Sequence, residues 1–337
     1  MSSTKLKDLL GCIRRDERVI IPPMVGYDAG VHRFGDILMV VSTDPCMGVP
    51  EEWFGWLMVH YAASDVALFG SKPEFCTINL LGSGTTKASQ FRKAMKQACN
   101  ATKELNMAIV GGHTGTYNSL RGMIGVCTAY GMINSDNVKT PAKARPGDSI
   151  LCTKSIGLET LVNFSLMQKE LARKLFGKKI SKALSERVKT QSCVKEALLM
   201  AEFLGVRAMH DATEEGVVTA LNELANASDL GFEVKNEQLP ITSEMRKLQE
   251  HFNLSERQIL STSSTGTVLA SIDPQIKNEI IEKLKAEGIE ATIIGNFTKQ
   301  KKRVLIKKGK SLAFPKTADD PYELVMSGTV EKLQPIS

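Results

Sequence analysis

The sequence predicts an α/β or α+β protein built as two domains, and three observations carry that expectation. Strand-like apolar runs alternate with segments of helical periodicity along the chain, with hairpin-like pairs among them. The 337 residues are enough for two separate cores. A stretch rich in proline, glycine and charge, 141–148, breaks the pattern. The expected organisation is an N-terminal arm at 1–34, a first domain at 35–145 and a second at 146–337.

The elements follow in order. The arm holds a short helix near Leu6 to Ile13, then Pro22-Pro23 and the glycine-flanked Asp28. Ile37 to Ser42 is strand-like, and Glu51 to Phe69 reads as a helix apolar on nearly all sides, hence buried. Glu74 to Leu81 is a second strand, ending in the loop Gly82 to Thr86. Phe91, Met95, Ala98, Cys99, Thr102 and Leu105 fall at helical spacing. Met107 to Val110 is a strand that ends in a turn, Gly111-Gly112-His113-Thr114-Gly115, and Met123 to Ile133 is another strand. In the second half, strand Ser149 to Thr153 leads into the turn Lys154-Ser155-Ile156-Gly157, and helices continue through about Leu204. Strand Val206 to Met209 opens onto Asp211-Ala212-Thr213-Glu214-Glu215-Gly216, then a helix with Val217, Leu221 and Leu224 on one face. Thr265 to Ser271 is a strand. Asp273 and Pro274 start a helix as N-cap and first-turn proline, and Gly288 ends it. Ala291 to Ile294 and Arg303 to Ile306 are the last strands.

Composition is that of a soluble globular protein, 42% apolar and 24% charged. The net charge of +6 suits anionic small molecules without amounting to a nucleic-acid footprint. The basic segments Lys169 to Lys189 and Lys299 to Lys310 lack interleaved aromatics for base stacking and read as solvated faces. Seven cysteines, an odd number with no C-x-x-C pair, point to reduced and mostly buried thiols. There is no apolar signal region and no apolar run of about 18 residues, so a cytoplasmic protein without a membrane span is expected.

Asp28, Asp44, Asp65 and Asp211 each stand where an apolar segment ends, turns or is interrupted. A carboxylate near low-dielectric packing is costly unless it is paired or bound to a cation. With glycine-rich turns between them, these four suggest a nucleoside triphosphate held through Mg²⁺. The alternatives stay open: Asp65 as a paired or capping residue, Asp44 as a turn former before Pro45. Gly111 and Gly112 permit close backbone approach and an anion nest. His113 and His210 are candidates for proton transfer or phosphate contact, and neither has a second His or Cys at zinc spacing. Thr262 to Gly266 offers hydroxyls but reads by default as a plain loop. No P-loop, Rossmann fingerprint or G-x-S-x-G elbow occurs, so any nucleotide site is of another kind.

In order and spacing these residues resemble the superfamily of aminoimidazole ribonucleotide synthetase, selenophosphate synthetase, thiamine-monophosphate kinase and the hydrogenase-maturation protein HypE. Asp28 in Tyr-Asp-Ala-Gly-Val is similar to the second Asp of an Asp-Asp-Ala-Ala motif, and Asp44 to that of Thr-Thr-Asp. Ser64-Asp65-Val66-Ala67 through Pro73 resembles Asn-Asp-Leu-Ala-x-x-Gly-Ala-x-Pro; Gly111-Gly112-His113-Thr114 and Asp211-Ala212-Thr213-Glu214-Glu215-Gly216 resemble two further motifs. The chain looks most like the HypE-like archaeal branch. Tyr27 departs from the first Asp, Glu215 from a glycine, and Ser337 stands where HypE carries a terminal Cys, so the usual nitrile chemistry is not expected.

The resemblance implies a PurM-like two-domain fold, with N-terminal sheets pairing into a barrel across a homodimer. It implies ATP and Mg²⁺ as cofactors, with Asp28, Asp44, Asp65 and Asp211 as metal ligands. Asp44, Asp65, Gly111, Gly112, Thr114, Lys154 and Thr213 would contact the nucleotide or acceptor, and His113 would move a proton. Lys154 reads equally as a surface lysine. The implied activity is phosphoryl transfer that activates an amide-, thioamide- or phosphate-type oxygen of a small molecule or protein-bound group. A nucleotide-binding partner protein of a maturation complex, without turnover, and a small-molecule kinase are the alternatives.

Overall fold

The computed structural model describes residues 3–134 and 138–329. Ser337 and the segment from Glu331 before it lie outside the described residues. The chain forms two compact units: one from the chain up to Lys143 together with Ser192–His210, the other from Ala144–Gln191 and from Asp211 onward. Both combine helices with a β-sheet, as the alternating pattern requires.

The first unit contains α1 (Ser3–Leu10), β1 (Val19–Ile21), β2 (Gly30–Phe34), β3 (Ile37–Cys46), α2 (Phe54–Leu68) and β4 (Phe75–Gly82). These are followed by α3 (Ala88–Leu105), β5 (Ala108–Thr116) and β6 (Ile124–Ile133). The six strands are ordered β1-β2-β3-β6-β4-β5, and the crossover through α3 makes β4 and β5 parallel. Helix α2 is buried almost all round, matching its uniformly apolar sequence. It lies against α3 so closely that a Cβ on Gly55 would stand 2.0 Å from the Ala94 carbonyl oxygen. The buried stripe of α3 is Ala94, Ala98, Ala101 and Thr102, narrower than expected; Cys99 is exposed, as is Cys12.

Two expectations are corrected here. Strand β3 does not end at Ser42 but runs through Asp44 and Pro45 to Cys46, paired with β6 to the end. Beyond Val41 it has lost β2 as a neighbour, and a strand with one open side tolerates a residue lacking an N–H. Likewise Gly111 to Gly115 is not a turn. These residues continue β5, with a bulge where Cys76 opposite Ile109 is followed by Thr77 opposite Gly111. The glycine at 112 serves the sheet, because a Cβ there would meet the Ile78 carbonyl oxygen at 1.9 Å.

The second sheet is ordered β13-β12-β9-β11-β7-β10-β8. Its strands are β7 (Ser149–Thr153), β8 (Val206–Asp211), β9 (Gly231–Lys235), β10 (Val268–Ile272), β11 (Ala291–Thr298), β12 (Arg303–Lys307) and β13 (Lys310–Ala313). Every residue of β7 is buried between antiparallel β10 and β11. Helices α4 (Leu158–Met167), α5 (Lys169–Phe176) and α6 (Lys178–Ser185) precede α7 (Val194–Ala201), which belongs to the first unit. After β8 come α8 (Gly216–Ala227), α9 (Ser243–Phe252), α10 (Glu256–Leu260), α11 (Lys277–Ala286) and α12 (Tyr322–Ser327). Leu161, Phe164, Phe176, Leu248 and Phe252 form the apolar centre of the helical layer. The strand expected from Thr265 starts only at Val268, and Thr262 to Thr267 form a wholly buried loop. No helix among the described residues is long and apolar enough to cross a membrane.

Candidate metal and nucleotide site

Strand β3 organises the acidic residues of the first unit. Its alternation puts Leu38, Val40, Ser42, Asp44 and Cys46 on one face. Ser42 donates its hydroxyl to Asp65 Oδ2 at 2.6 Å, which fixes the carboxylate on buried α2 against that face. Asp65 is 6% exposed, so it is held by burial and a short bond together. Asp44 stands one step further along the same face, opposite Cys127 of β6.

Asp28 precedes β2. It lines, with Ser42 and Thr43, an open cavity of about 550 Å³ whose walls are apolar: Leu6, Leu10, Ile21, Met24 and Val31. The arm thus roofs the β2–β3 face instead of trailing away from it. Asp28 Oδ1 lies 3.5 Å from His210 Nδ1, and both side chains are largely withdrawn from solvent. Asp211 is the next residue of β8, and Asp28, His210 and Asp211 each offer a ligand atom within 4.8 Å of one another. Two carboxylates and an imidazole fit a divalent cation, and the carboxylate oxygens are the donors that Mg²⁺ takes. His210 had been read from the sequence for proton transfer; its place beside Asp28 is a ligand's or an orienting partner's.

The other candidates are distributed as follows. Gly111, Gly112, His113 and Thr114 lie in the exposed β5, with His113 Nε2 2.8 Å from the Tyr117 hydroxyl. Lys154 is not a surface lysine: its ammonium donates to the carbonyls of Thr190 at 2.7 Å and Gly266 at 2.9 Å, and its own backbone is left-handed. Thr213 caps the turn into α8, its carbonyl accepting from Gly216 N–H. Glu215, in the place of the resembling motif's glycine, adopts φ +63° as that motif demands, and its N–H donates to Asp320.

The loop 262–267, far from plain, carries a hydroxyl network. Gly157 N–H donates to Ser264 Oγ, Ser263 Oγ to Asp320, Thr267 Oγ1 to the Ser155 carbonyl and Thr265 Oγ1 to Glu159. Burial pushes the Glu159 carboxyl up to about 7, with Glu214 and Asp320 adding to the rise against the opposing bond from Thr265. Sequence reasoning missed Glu159. Its only signal was an acidic residue in the first turn of an otherwise apolar helix, which also serves the helix dipole.

Two α/β units of this topology define a two-domain class of fold, and comparison with known proteins narrows it. The description "AIR synthase related protein, N-terminal domain" matches residues 26–133 and its C-terminal counterpart matches 145–308. The chain belongs to the AIR synthase-related family. It is 24% identical over 323 residues to selenide, water dikinase of Carboxydothermus hydrogenoformans, covering 87% of this chain and 90% of that protein. It is 25% identical over 253 residues to carbamoyl dehydratase HypE of Azotobacter vinelandii, covering 74% and 71%. Among solved structures, a HypE–HypF complex superposes with TM-score 0.74 at 18% identity, covering 94% of this chain and 100% of that one. HypE in complex with ATP superposes with TM-score 0.71 at 18% identity, covering 96% of each. These likenesses establish the PurM-like two-domain fold, and the two named relatives are enzymes.

Proposed function

We propose that this chain is an ATP- and Mg²⁺-dependent enzyme that activates an amide-, thioamide- or phosphate-type oxygen by phosphoryl transfer. The observation that carries the reading is the gathering of Asp28, His210 and Asp211 within 4.8 Å, with Asp28 also lining the apolar cavity. Asp28, Asp44, Asp65 and Asp211 hold Mg²⁺, which when bound neutralises the charge of the transferring phosphates. The cavity beneath the arm takes the apolar faces of the nucleotide base. Gly111, Gly112, Thr114 and Thr213 line the phosphate and acceptor path. With an amide-type acceptor, His113, hydrogen-bonded to Tyr117, accepts the N–H proton as the carbonyl oxygen attacks the γ-phosphorus and ADP departs. From an amide-type acceptor the phosphorylated imidate-like product then loses phosphate to a second nucleophile or by elimination. Lys154 holds the loop after β7 to Gly266 and so shapes the acceptor side.

The homodimer that the resemblance implies belongs to the same proposal. Strand β5 is a sheet edge, and its Ile109 and Val110 are 37% and 54% exposed, a surface suited to pairing with a second copy. The acceptor is a small molecule or a protein-bound group, and the HypE–HypF complex supports a protein partner. The test is ATP turnover with and without Mg²⁺, followed by phosphorus NMR with simple amides and thioamides. Asp211→Asn is expected to lower turnover about 10- to 100-fold through weakened ion binding. ATP binding without ADP release supports the non-catalytic partner protein instead, and phosphate retained on the product supports a small-molecule kinase.

A further inference from the structure

Strand β13 is the outer strand of the second unit's sheet, and all four of its residues, Lys310 to Ala313, face solvent. Its inner side pairs with β12, and the hairpin closes through Lys308 and Gly309, both in left-handed conformation. Among the described residues no strand covers its outer side, so main-chain N–H and C=O groups point outward. Folded proteins guard such an edge with charge in mid-strand. Here the middle is Ser311 and Leu312, the latter 48% exposed.

Beside this edge runs a groove of about 530 Å³. Its apolar lining includes Leu312, on the face it shares with Leu305, and the buried Phe314, whose ring packs edge-to-face on Phe232 at 4.9 Å. Its walls are basic. Among the described residues the Arg303 guanidinium bonds only the neutral side-chain oxygens of Asn222 and Asn226, which hold it in place without cancelling its charge. Lys302 and Lys316 have no carboxylate partner among the described residues, whereas Lys301 is paired with Asp229. A free strand edge, an apolar floor and uncancelled cations in one place are three complementary demands on a single ligand.

We propose that β13 and this groove bind an extended acidic segment of a partner protein. The segment adds as a further strand through main-chain hydrogen bonds, lays alternate apolar side chains along the face of β13 that carries Leu312, and sets its carboxylates against Lys302, Lys316 and Arg303. A nucleic acid would satisfy the cations but not the edge, and the groove's one aromatic ring, Phe314, is only 3% exposed and offers no stacking face.

The probe is a fluorescein-labelled octapeptide of alternating valine and glutamate, followed by anisotropy with the full chain. Saturable binding is expected, weakened at least about 10-fold in the Lys302→Glu/Lys316→Glu double variant and by N-methylation of alternate peptide nitrogens. Both lysines are exposed, so thermal melting and ATP turnover stay at wild-type values, and a failure of the proposed activity leaves this result untouched. Absence of saturable binding, or binding that survives the charge reversal, overturns the proposal. So does equal binding of the N-methylated peptide, which would mean bulk charge alone, or tighter binding of oligo-dT.

Discussion

Glu159 is a buried carboxyl whose protonation depends on its surroundings. Its folded-state value of about 7 lies above the ordinary 4.5, because burial disfavours the charged form. For a carboxylate with a raised value the sign is the reverse of the usual one. The native state keeps a proton that the unfolded chain releases, so this stability is intact below about pH 4.5 and declines up to about pH 7. The full loss is roughly 3 kcal/mol. Glu159→Gln should therefore gain on the wild type in urea denaturation between pH 5 and 8 and match it at pH 4; parallel profiles would contradict the assignment. At Asp65 the expectation differs. Asp65→Asn preserves the fold, since an amide oxygen can still accept from Ser42, while Mg²⁺-dependent nucleotide binding weakens, which isothermal calorimetry with and without the ion would detect. Asp65 stood out in the sequence because a charge in a uniformly apolar helix needs a reason. Glu159 did not, and the roles of Lys154 and His210 were not legible, because their partners, Thr265, the Thr190 and Gly266 carbonyls, and Asp28, are all remote along the chain.

Elements with strong periodicity were legible: α2, α3, α8, β4, β6 and β7 fall close to where apolar spacing puts them. The misreading of the glycine pair has a tertiary cause. Gly111-Gly112 looks like a turn because glycine usually punctuates, yet β4 passes so near that only glycine fits inside β5. Gly112→Ala should cost about 1–3 kcal/mol, seen as a lower urea midpoint, and unchanged stability would refute the close approach. The turn before α8 makes the opposite prediction. Glu215 holds a left-handed backbone, so Glu215→Gly should stabilise the chain by about 1 kcal/mol in the same assay, less what its bond from Thr219 contributes. Short strands β9 and β13 escaped notice because four or five residues carry too little alternation to stand out from a loop.

For the whole molecule, the open question the sheet edges pose is association. Strand β5 exposes Ile109 and Val110 on an unguarded edge, and the proposed homodimer would cover them. Val110→Lys should shift sedimentation from dimer to monomer at micromolar concentration; a wild type that sediments as a monomer would remove this part of the proposal.

The sequence by itself determined the family, the α/β layering and the acidic residues at segment ends, because periodicity and the cost of a carboxylate near apolar packing are local properties. Only the tertiary structure decided that Ser42 holds Asp65, that His210 joins Asp28 and Asp211, and that Glu159 is buried among hydroxyls. Those pairings join residues tens to hundreds of positions apart, and no local rule says which distant side chains the folded backbone will bring within a hydrogen bond of each other.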